Sequence, residues 1–205
     1  MTVGHVEVLV EEPSAEAALR AVLPRMLGEV SFEIYQYGSK SELIERLPQR
    51  LRGYAGWLPP DHRIVVLVDR DDDDCHELKA RLEAIAAKAG LSTRTRAGTD
   101  AFQVVNRIVI EELEAWFFGD WDAVRSAYPK VNANVPTQKR YRHPDAVGGG
   151  TWEAFERCLQ NAGYFRTGLR KIEVARAVGE HMDPVRNTSP SFRALRDALR
   201  EMATP

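Results

Sequence analysis

Acidic residues follow strand-like segments of the sequence, and their spacing is the first sign of chemistry. The stretch VLVDRDDDDC places five carboxylates within six residues, from Asp69 to Asp74. Two like charges about 4 Å apart repel by roughly 4 kcal/mol at an effective dielectric constant of 20, so this crowding favours either solvent-facing side chains or a bound cation. Asp69 and Asp71 would project from the same side of an extended segment, where they could hold one or two Mg²⁺ or Mn²⁺ ions. For residues 72–74 we predict a solvated turn that caps the next helix.

Two further acidic segments could contribute to the same site. Glu11 ends the strand-like run VLVEE, and RIVIEELEAWFFGD places Glu111, Glu112 and Glu114 after another apolar run. Glu114 shares a face with one of the other two acids whether this segment is helix or strand, so we select it as the candidate. If the strands that end in Glu11 and Asp69 are neighbours, their carboxyl ends lie about 5 Å apart. The alternative for Glu11 is an ordinary solvated side chain.

The elements that must position these acids alternate between strand and helix along the first part of the chain. Strands are predicted over 3–10, 32–35, 63–69, 91–96 and 104–110. Ser14 is predicted to cap the first helix, and further helices are predicted to begin at Ser41 and near Leu78. This alternation predicts an α/β fold with an open, mainly parallel, Rossmann-like sheet that is flanked by helices. In such sheets ligands bind beyond the carboxyl ends of the strands, where the acids are predicted to lie.

The second half of the chain has a different character. We predict an α/β core over 1–128, a surface segment over 129–150, and a helical C-terminal portion over 151–205 that packs on the core. Helices are predicted over 152–159, 172–182 and 192–202, with Ser189 or Ser191 capping the last one.

Composition and charge restrict the class of protein. The chain has 205 residues, of which 44% are hydrophobic and 28% charged, and its formal net charge is -2. The sequence has no apolar stretch that could span a bilayer and no phosphate-binding loop, and the pattern of MTVGHVEVLV leads us to expect no secretory leader. We therefore expect a cytoplasmic protein that does not itself hydrolyse ATP. Residues 130–200 carry thirteen Lys and Arg against seven Asp and Glu. This basic portion either meets an anionic partner such as nucleic acid or forms solvated helix faces.

The order strand-Glu, then strand-Asp-x-Asp, resembles the TOPRIM superfamily, which includes topoisomerases, primases and OLD-type nucleases. The segments VEEPSAEAAL, LVDRDDDDC, IEELEAWFFGD and DPVRNTSPSF are similar to a bacterial family defined by domain of unknown function 4276. The resemblance implies that Glu11 is an acid/base or metal ligand and that Asp69 and Asp71 bind metal. Nuclease-like relatives have Gly directly after the first Glu and another acid four residues after that Glu, whereas this chain has Glu12 and Ala15 there.

The same resemblance suggests how the missing acid and a basic group could be supplied. Glu114 could provide the carboxylate that position 15 lacks. Lys171 is the candidate for a basic residue near the scissile phosphate, with Arg170 as the second choice; taken alone, Lys171 could equally be an exposed helix lysine.

Three functions follow as hypotheses. The first is a Mg²⁺- or Mn²⁺-dependent, nuclease-like phosphodiesterase on nucleic acid, with Glu11, Glu114 and Lys171 as catalytic residues and Glu11, Asp69, Asp71 and Glu114 as metal ligands. The second is a non-catalytic TOPRIM-like binding or regulatory subunit that works with an ATPase partner, with phage defence as one setting. The third is a phosphoryl-handling enzyme acting on small molecules.

Overall fold

The computed structural model describes residues 3–97 and 101–203. The strands are β1 (His5–Val10), β2 (Ser31–Gln36), β3 (His62–Asp69) and β4 (Val104–Val109). The helices are α1 (Pro13–Leu27), α2 (Lys40–Trp57), α3 (Cys75–Lys88), α4 (Arg94–Ala97), α5 (Glu114–Gly119), α6 (Trp121–Ala127), α7 (Thr151–Asn161), α8 (Lys171–His181) and α9 (Pro190–Ala203). Over the described residues, no helix is both long enough and apolar enough to cross a membrane.

The four strands form one sheet in the order β2-β1-β3-β4, and each neighbouring pair is parallel. The open α/β fold with helices on both faces is therefore confirmed. Strand β3 is buried over most of its length, as its nearly unbroken run of β-branched residues predicts for a central parallel strand. Because β1 lies between β2 and β3, with Val10 paired to Leu67, the residues that follow β1 and β3 share one edge.

Two hydrophobic clusters hold the layers together. On one face, α2 and α3 bury leucines such as Leu47 and Leu82 against β3 residues such as Val66. On the other face, α1 packs against α8, while α9 lies against β4. The helical C-terminal residues thus bury their apolar stripes against the sheet-bearing part of the chain, which brings the start of α8 near the carboxyl ends of the strands.

Two local predictions need correction. The segment 91–96 is not a strand: Thr93 forms an isolated bridge to Val104, its hydroxyl donates to the buried Glu83, and α4 begins at the next residue. Ser14 does not cap α1, because the helix already begins at Pro13. Proline suits this first position, since the backbone N–H that it lacks would have no acceptor within the helix. Residues 129–150, predicted as a surface segment, include two single 3₁₀ turns, Val135–Thr137 and Pro144–Ala146.

Candidate active site

The site begins with two carboxylates on neighbouring strands. Glu11 follows β1 and is only 4% exposed, and its Oε1 accepts a hydrogen bond of 3.1 Å from the backbone N–H of Asp69 at the end of β3. Its other oxygen, Oε2, is buried and has no hydrogen-bond partner among the described residues. A buried carboxylate oxygen without a donor is costly, so this atom is available to a group that the chain itself does not supply.

Burial and mutual repulsion disfavour the charged forms of these acids. Burial raises the pKa of Glu11 to about 7, and the charge of Asp71 adds to the rise while the Asp69 N–H opposes it. Burial also raises the pKa of Asp69 well above its usual value, with further contributions from the carboxylates of Glu11 and Glu114. The side chains from β1, β3 and the start of α5 therefore form one electrostatically coupled group.

Glu114 reaches this group because the chain turns sharply after β4. Arg70 N donates to Val109 O and Asp71 N donates to Glu111 O, so pairing of the segments after β3 and β4 continues beyond both strands. Glu111 adopts a left-handed φ of 65° and pairs its carboxylate with Arg70. Helix α5 then starts at Glu114, which is 3% exposed, and burial raises the pKa of its carboxyl to about 7.

Lys171 supplies a positive charge beside these acids. It is the first residue of α8, it is partly buried, and its Nζ lies 5.1 Å from the centre of the Trp152 ring. Burial disfavours its charged form, but the carboxylates of Glu114, Glu12 and Glu112 outweigh that effect and raise the pKa of Lys171. Arg170 is exposed and pairs with Glu173 at 3.0 Å, so the structure brings Lys171 to the acids and leaves Arg170 outside.

Asp71 has a different environment from Asp69. Its backbone is left-handed, with φ of 47°, and its carboxylate contacts Lys40 Nζ at 2.6 Å. The same ammonium group contacts Asp73 at 2.8 Å and donates to the backbone oxygens of Asp69 and Arg70, each at 3.0 Å. Lys40 thus neutralises the acidic loop from the start of α2. Sequence reasoning missed this residue; the only available signal was a lysine at the start of the helix that follows β2.

The remaining acids of the loop behave as predicted for a turn. Asp74 accepts hydrogen bonds from His76 N and Glu77 N, each at 2.9 Å, and so caps α3. Asp72 and Asp73 are exposed.

Glu112 was not selected from the sequence, yet it borders the site. Its Oε2 accepts a hydrogen bond of 3.0 Å from Trp152 N in the first turn of α7. Burial raises its pKa, while that N–H and the charge of Lys171 oppose the rise. Gly150, at φ of 82°, lets the chain enter α7 at this point. The available signal in the sequence was the glycine run, which marks the start of α7. The N-terminus of a helix attracts a carboxylate such as that of Glu112.

The late motif DPVRNTSPSF joins the C-terminal helix to α5. Asp120, which is buried, receives two hydrogen bonds from Arg186, at 2.6 and 3.1 Å. Asn187 Nδ2 donates to Trp116 O at 2.8 Å. Ser189 Oγ accepts from Phe192 N at 3.2 Å, which confirms it as the cap of α9. These contacts give the motif a structural role, which is to attach α9 to α5. None of them involves the carboxylates of Glu11, Asp69 or Glu114.

The donor set can be tested for its fit to a hard divalent cation such as Mg²⁺. The unpartnered Oε2 of Glu11 and the mutual repulsion of buried carboxylates both fit, because an ion would supply the missing partner and the missing positive charge. In the described part of the chain, however, no three acidic, histidine or cysteine side chains are arranged to hold an ion as they stand. For Asp71 to take part, its ion pair with Lys40 would have to open.

Comparison with known proteins gives a family. No curated protein matches the chain in sequence. Among solved structures, the C-terminal region of the OLD protein of Xanthomonas campestris pv. campestris is similar, with a TM-score of 0.42 and 16% identity over 96% of this chain and 94% of that one. The family profile described as Domain of unknown function (DUF4276) matches residues 10–200. Because that match spans nearly the whole chain, the protein belongs to the DUF4276 family.

Proposed function

We propose that the protein is a Mg²⁺- or Mn²⁺-dependent phosphodiesterase of the TOPRIM type that acts on nucleic acid. The observation that carries the proposal is the group of interacting carboxylates formed by the buried Glu11 and Glu114 and the partly buried Asp69, in which Glu11 Oε2 has no partner within the described chain. These three residues would hold the ion, together with Asp71 once Lys40 releases it. A divalent ion in such a site lowers the pKa of bound water and neutralises charge on a phosphate.

The chain's own residues can divide the remaining work. Glu11 or Glu114 would, besides holding the ion, orient the attacking water with its second carboxylate oxygen. The ammonium of Lys171 stays charged and partly shielded from solvent, where it can stabilise negative charge that develops on a phosphate oxygen.

The nucleic acid would be held through its backbone by basic residues of the segment that precedes α7. Lys139, Arg140 and Arg142 are all exposed, and Arg140 Nη2 donates to Gly148 O at 3.2 Å, in the run that leads into α7. Glu112, which borders the acids, accepts a hydrogen bond from Trp152 N in the first turn of α7. The basic segment leads directly into this turn. Phosphate contacts of this kind give affinity without sequence preference.

The test is metal-dependent cleavage by the purified protein. Single- and double-stranded DNA and RNA are incubated with Mg²⁺, Mn²⁺ or EDTA, and Asp69→Asn is compared with the wild type. We expect cleavage only with metal, and a loss of about 100-fold or more in Asp69→Asn, as for removal of a principal electrostatic group. Glu16→Gln is the matched control, because Glu16 is partly exposed and pairs with Arg20 on the outside of α1. Undiminished cleavage by Asp69→Asn contradicts the proposal.

One observation favours a second candidate, a non-catalytic binding or regulatory subunit with an ATPase partner. Lys40 occupies the acidic loop with four oxygen contacts, so its positive charge does part of what a metal ion would do. Titration with Mn²⁺ separates the two candidates. Binding of metal or nucleic acid without turnover of any substrate, unless an ATPase partner is present, supports the subunit.

A further inference from the structure

A cleft of about 500 Å³ lies beside the edge strand β2, away from the acids of the candidate active site. It is lined by one face of α2 and the residue that follows β2, namely Tyr37, Arg46, Gln49, Arg50, Gly53, Tyr54 and Trp57. Trp57 is 60% exposed although it is one of the largest apolar side chains, and its ring centre lies 5.4 Å from that of Tyr54. The exposed indole ring of Trp57 at the wall of the cleft is therefore accessible to a ligand with an apolar face.

The arginines of the cleft add positive charge to its aromatic wall. The Arg50 guanidinium lies 4.3 Å from the centre of the Tyr35 ring, and its Nε donates to Tyr54 Oη at 3.0 Å. Tyr54 in turn donates to the buried Glu7 at 2.9 Å, so Arg50 is held in place by a chain of contacts. Arg46 is exposed and has an i,i+4 ion pair with Glu42. The cleft therefore combines a flat aromatic wall with positive charge, which suits a base and its phosphate.

A glycine keeps this cleft open. Gly53 lies in the interior of α2, where glycine destabilises a helix relative to alanine. A Cβ atom built at Gly53 meets no atom within 4 Å in the described part of the chain, so packing does not require glycine there. The absence of a side chain instead leaves room on the cleft floor, one helical turn before Trp57. That arrangement is expected where a ligand approaches the helix backbone closely.

We propose that the cleft is a stacking subsite for one unpaired nucleotide of a single-stranded nucleic acid, with the base on Trp57 and its phosphate near Arg46 and Arg50. The inference rests on the proposed function. It specifies that the nucleic-acid substrate is a strand with unpaired bases. A strand is favoured over a free nucleotide because Trp57 offers a single exposed stacking face. Such a face adds to the affinity of a chain that is anchored elsewhere.

The path from the cleft to the acids supports a strand as the occupant. A second depression of about 360 Å³ shares Tyr37, Arg46 and Arg50 with the cleft and extends to Gly38. From there α2 begins at Lys40, whose ammonium contacts Asp71. The length of α2 from Lys40 to Trp57 is about 25 Å at the usual helical rise, so several nucleotides would separate the stacked base from the carboxylates.

The experiment measures oligonucleotide binding without metal, so that cleavage does not enter. A fluorescent single-stranded oligothymidine of about 12 nucleotides, within the usual range of single-strand site sizes, is titrated with the protein in EDTA. Gly53→Leu fills the cleft while favouring the helix, and Trp57→Ala removes an exposed ring, so both variants should fold. Ala55→Leu adds the same side chain at an exposed position of α2 that does not line the cleft. We expect Gly53→Leu and Trp57→Ala to weaken binding about 10-fold and Ala55→Leu to leave it unchanged.

Other results would overturn the proposal in distinguishable ways. Equal affinity in all four proteins, or no binding by the wild type, removes the subsite. A free nucleoside monophosphate that binds as tightly as the oligonucleotide, with the same sensitivity to Gly53→Leu, makes the cleft a pocket for free nucleotides instead. If cleavage occurs but Gly53→Leu binds normally, the proposed function stands and this subsite does not. If the variants weaken binding but no cleavage is found, the subsite stands alone.

Discussion

Glu11 reaches from the end of β1 to accept the backbone N–H of Asp69 at the end of β3, at 3.1 Å. This contact exists because β1 and β3 are parallel neighbours, with Val10 opposite Leu67. It fixes one oxygen of Glu11 and leaves the other buried without a partner among the described residues. Holding this carboxylate therefore lowers the stability of the fold, and a positively charged ligand bound to the free oxygen would restore it. Such an arrangement is typical of functional sites.

Stability should fall as the pH rises through the range in which Glu114 loses its proton. Burial raises the pKa of Glu114 from 4.5 to about 7 in the folded protein, so the folded state keeps a proton that the unfolded state has already released. Its unfavourable contribution is therefore absent below the unfolded pKa, grows as the pH rises from there to about 7, and is complete above about pH 7. Glu114→Gln should stabilise the protein at about pH 8 by up to about 3 kcal/mol, and by much less at about pH 5.

Urea unfolding of both proteins at the two pH values checks this expectation. Glu45→Gln, at an exposed position of α2, is the matched control and should not reproduce the pH-dependent gain. The prediction is wrong if Glu114→Gln destabilises the protein equally at both pH values, since that result would mean that the charged carboxylate contributes favourably through Lys171.

Removal of the Lys40 ammonium should increase the affinity for a divalent ion. Lys40 contacts Asp71 and Asp73, so a bound ion has to compete with it for the acidic loop. Lys40→Met should destabilise the protein in EDTA by about 1–3 kcal/mol, because charge-assisted hydrogen bonds are lost. The same variant should bind Mn²⁺ about 10-fold more tightly than the wild type does, as measured by calorimetry.

A second partly buried lysine provides the control for this variant. On α3, Lys79 pairs with Glu83 at 3.0 Å. It also donates a hydrogen bond to the backbone oxygen of Asn106 on β4. Lys79→Met should also destabilise the protein but leave the affinity for Mn²⁺ as it is. Unchanged or weaker Mn²⁺ binding in Lys40→Met would show that Asp71 is not a ligand.

The sequence predicts more of the strands than of the contacts around the site. The strands are local patterns, and the acids at their ends follow from the parallel arrangement, so Glu11 and Asp69 could be placed at one edge in advance. Lys40 and Glu112 could not be chosen, because each acts on a partner brought close only by folding: the loop after β3 and the first turn of α7. The strand predicted over 91–96 was wrong because the backbone turns into α4 after Thr93, whose carbonyl accepts hydrogen bonds from Arg96 N and Ala97 N instead of continuing a sheet ladder.

The carboxylate of Asp120 should be a principal anchor of the C-terminal helices, with Arg186 as one of its donors. Asp120 is 1% exposed and also accepts hydrogen bonds from Ala123 N at 3.3 Å and Asp183 N at 2.7 Å. Asp120→Ala leaves these donors and Arg186 without their acceptor, so we expect a loss of about 3 kcal/mol in the free energy of unfolding. Arg186→Gln should cost only about 1 kcal/mol, because Asp120 keeps its backbone donors.

Equilibrium unfolding in urea measures both losses. Asp122→Ala is the control, because Asp122 is exposed and lies 3.7 Å from Arg125, and it should change stability by less than about 1 kcal/mol. Equal losses for Asp120→Ala and Asp122→Ala would remove the structural role assigned to the late motif.

Nucleic-acid affinity should depend on salt through the basic segment before α7. Each phosphate contact that is lost lowers the slope of log K against log salt concentration by about 0.7 for a single strand. The triple variant Lys139→Gln, Arg140→Gln, Arg142→Gln should therefore reduce the slope by up to about 2 and weaken binding most at low salt. Binding of one oligonucleotide at several salt concentrations in EDTA gives both slopes. The control triple variant changes the net charge equally at exposed positions elsewhere, Arg81, Lys88 and Arg96. If both triple variants lower the slope by the same amount, the effect comes from net charge alone, and the segment makes no specific phosphate contacts.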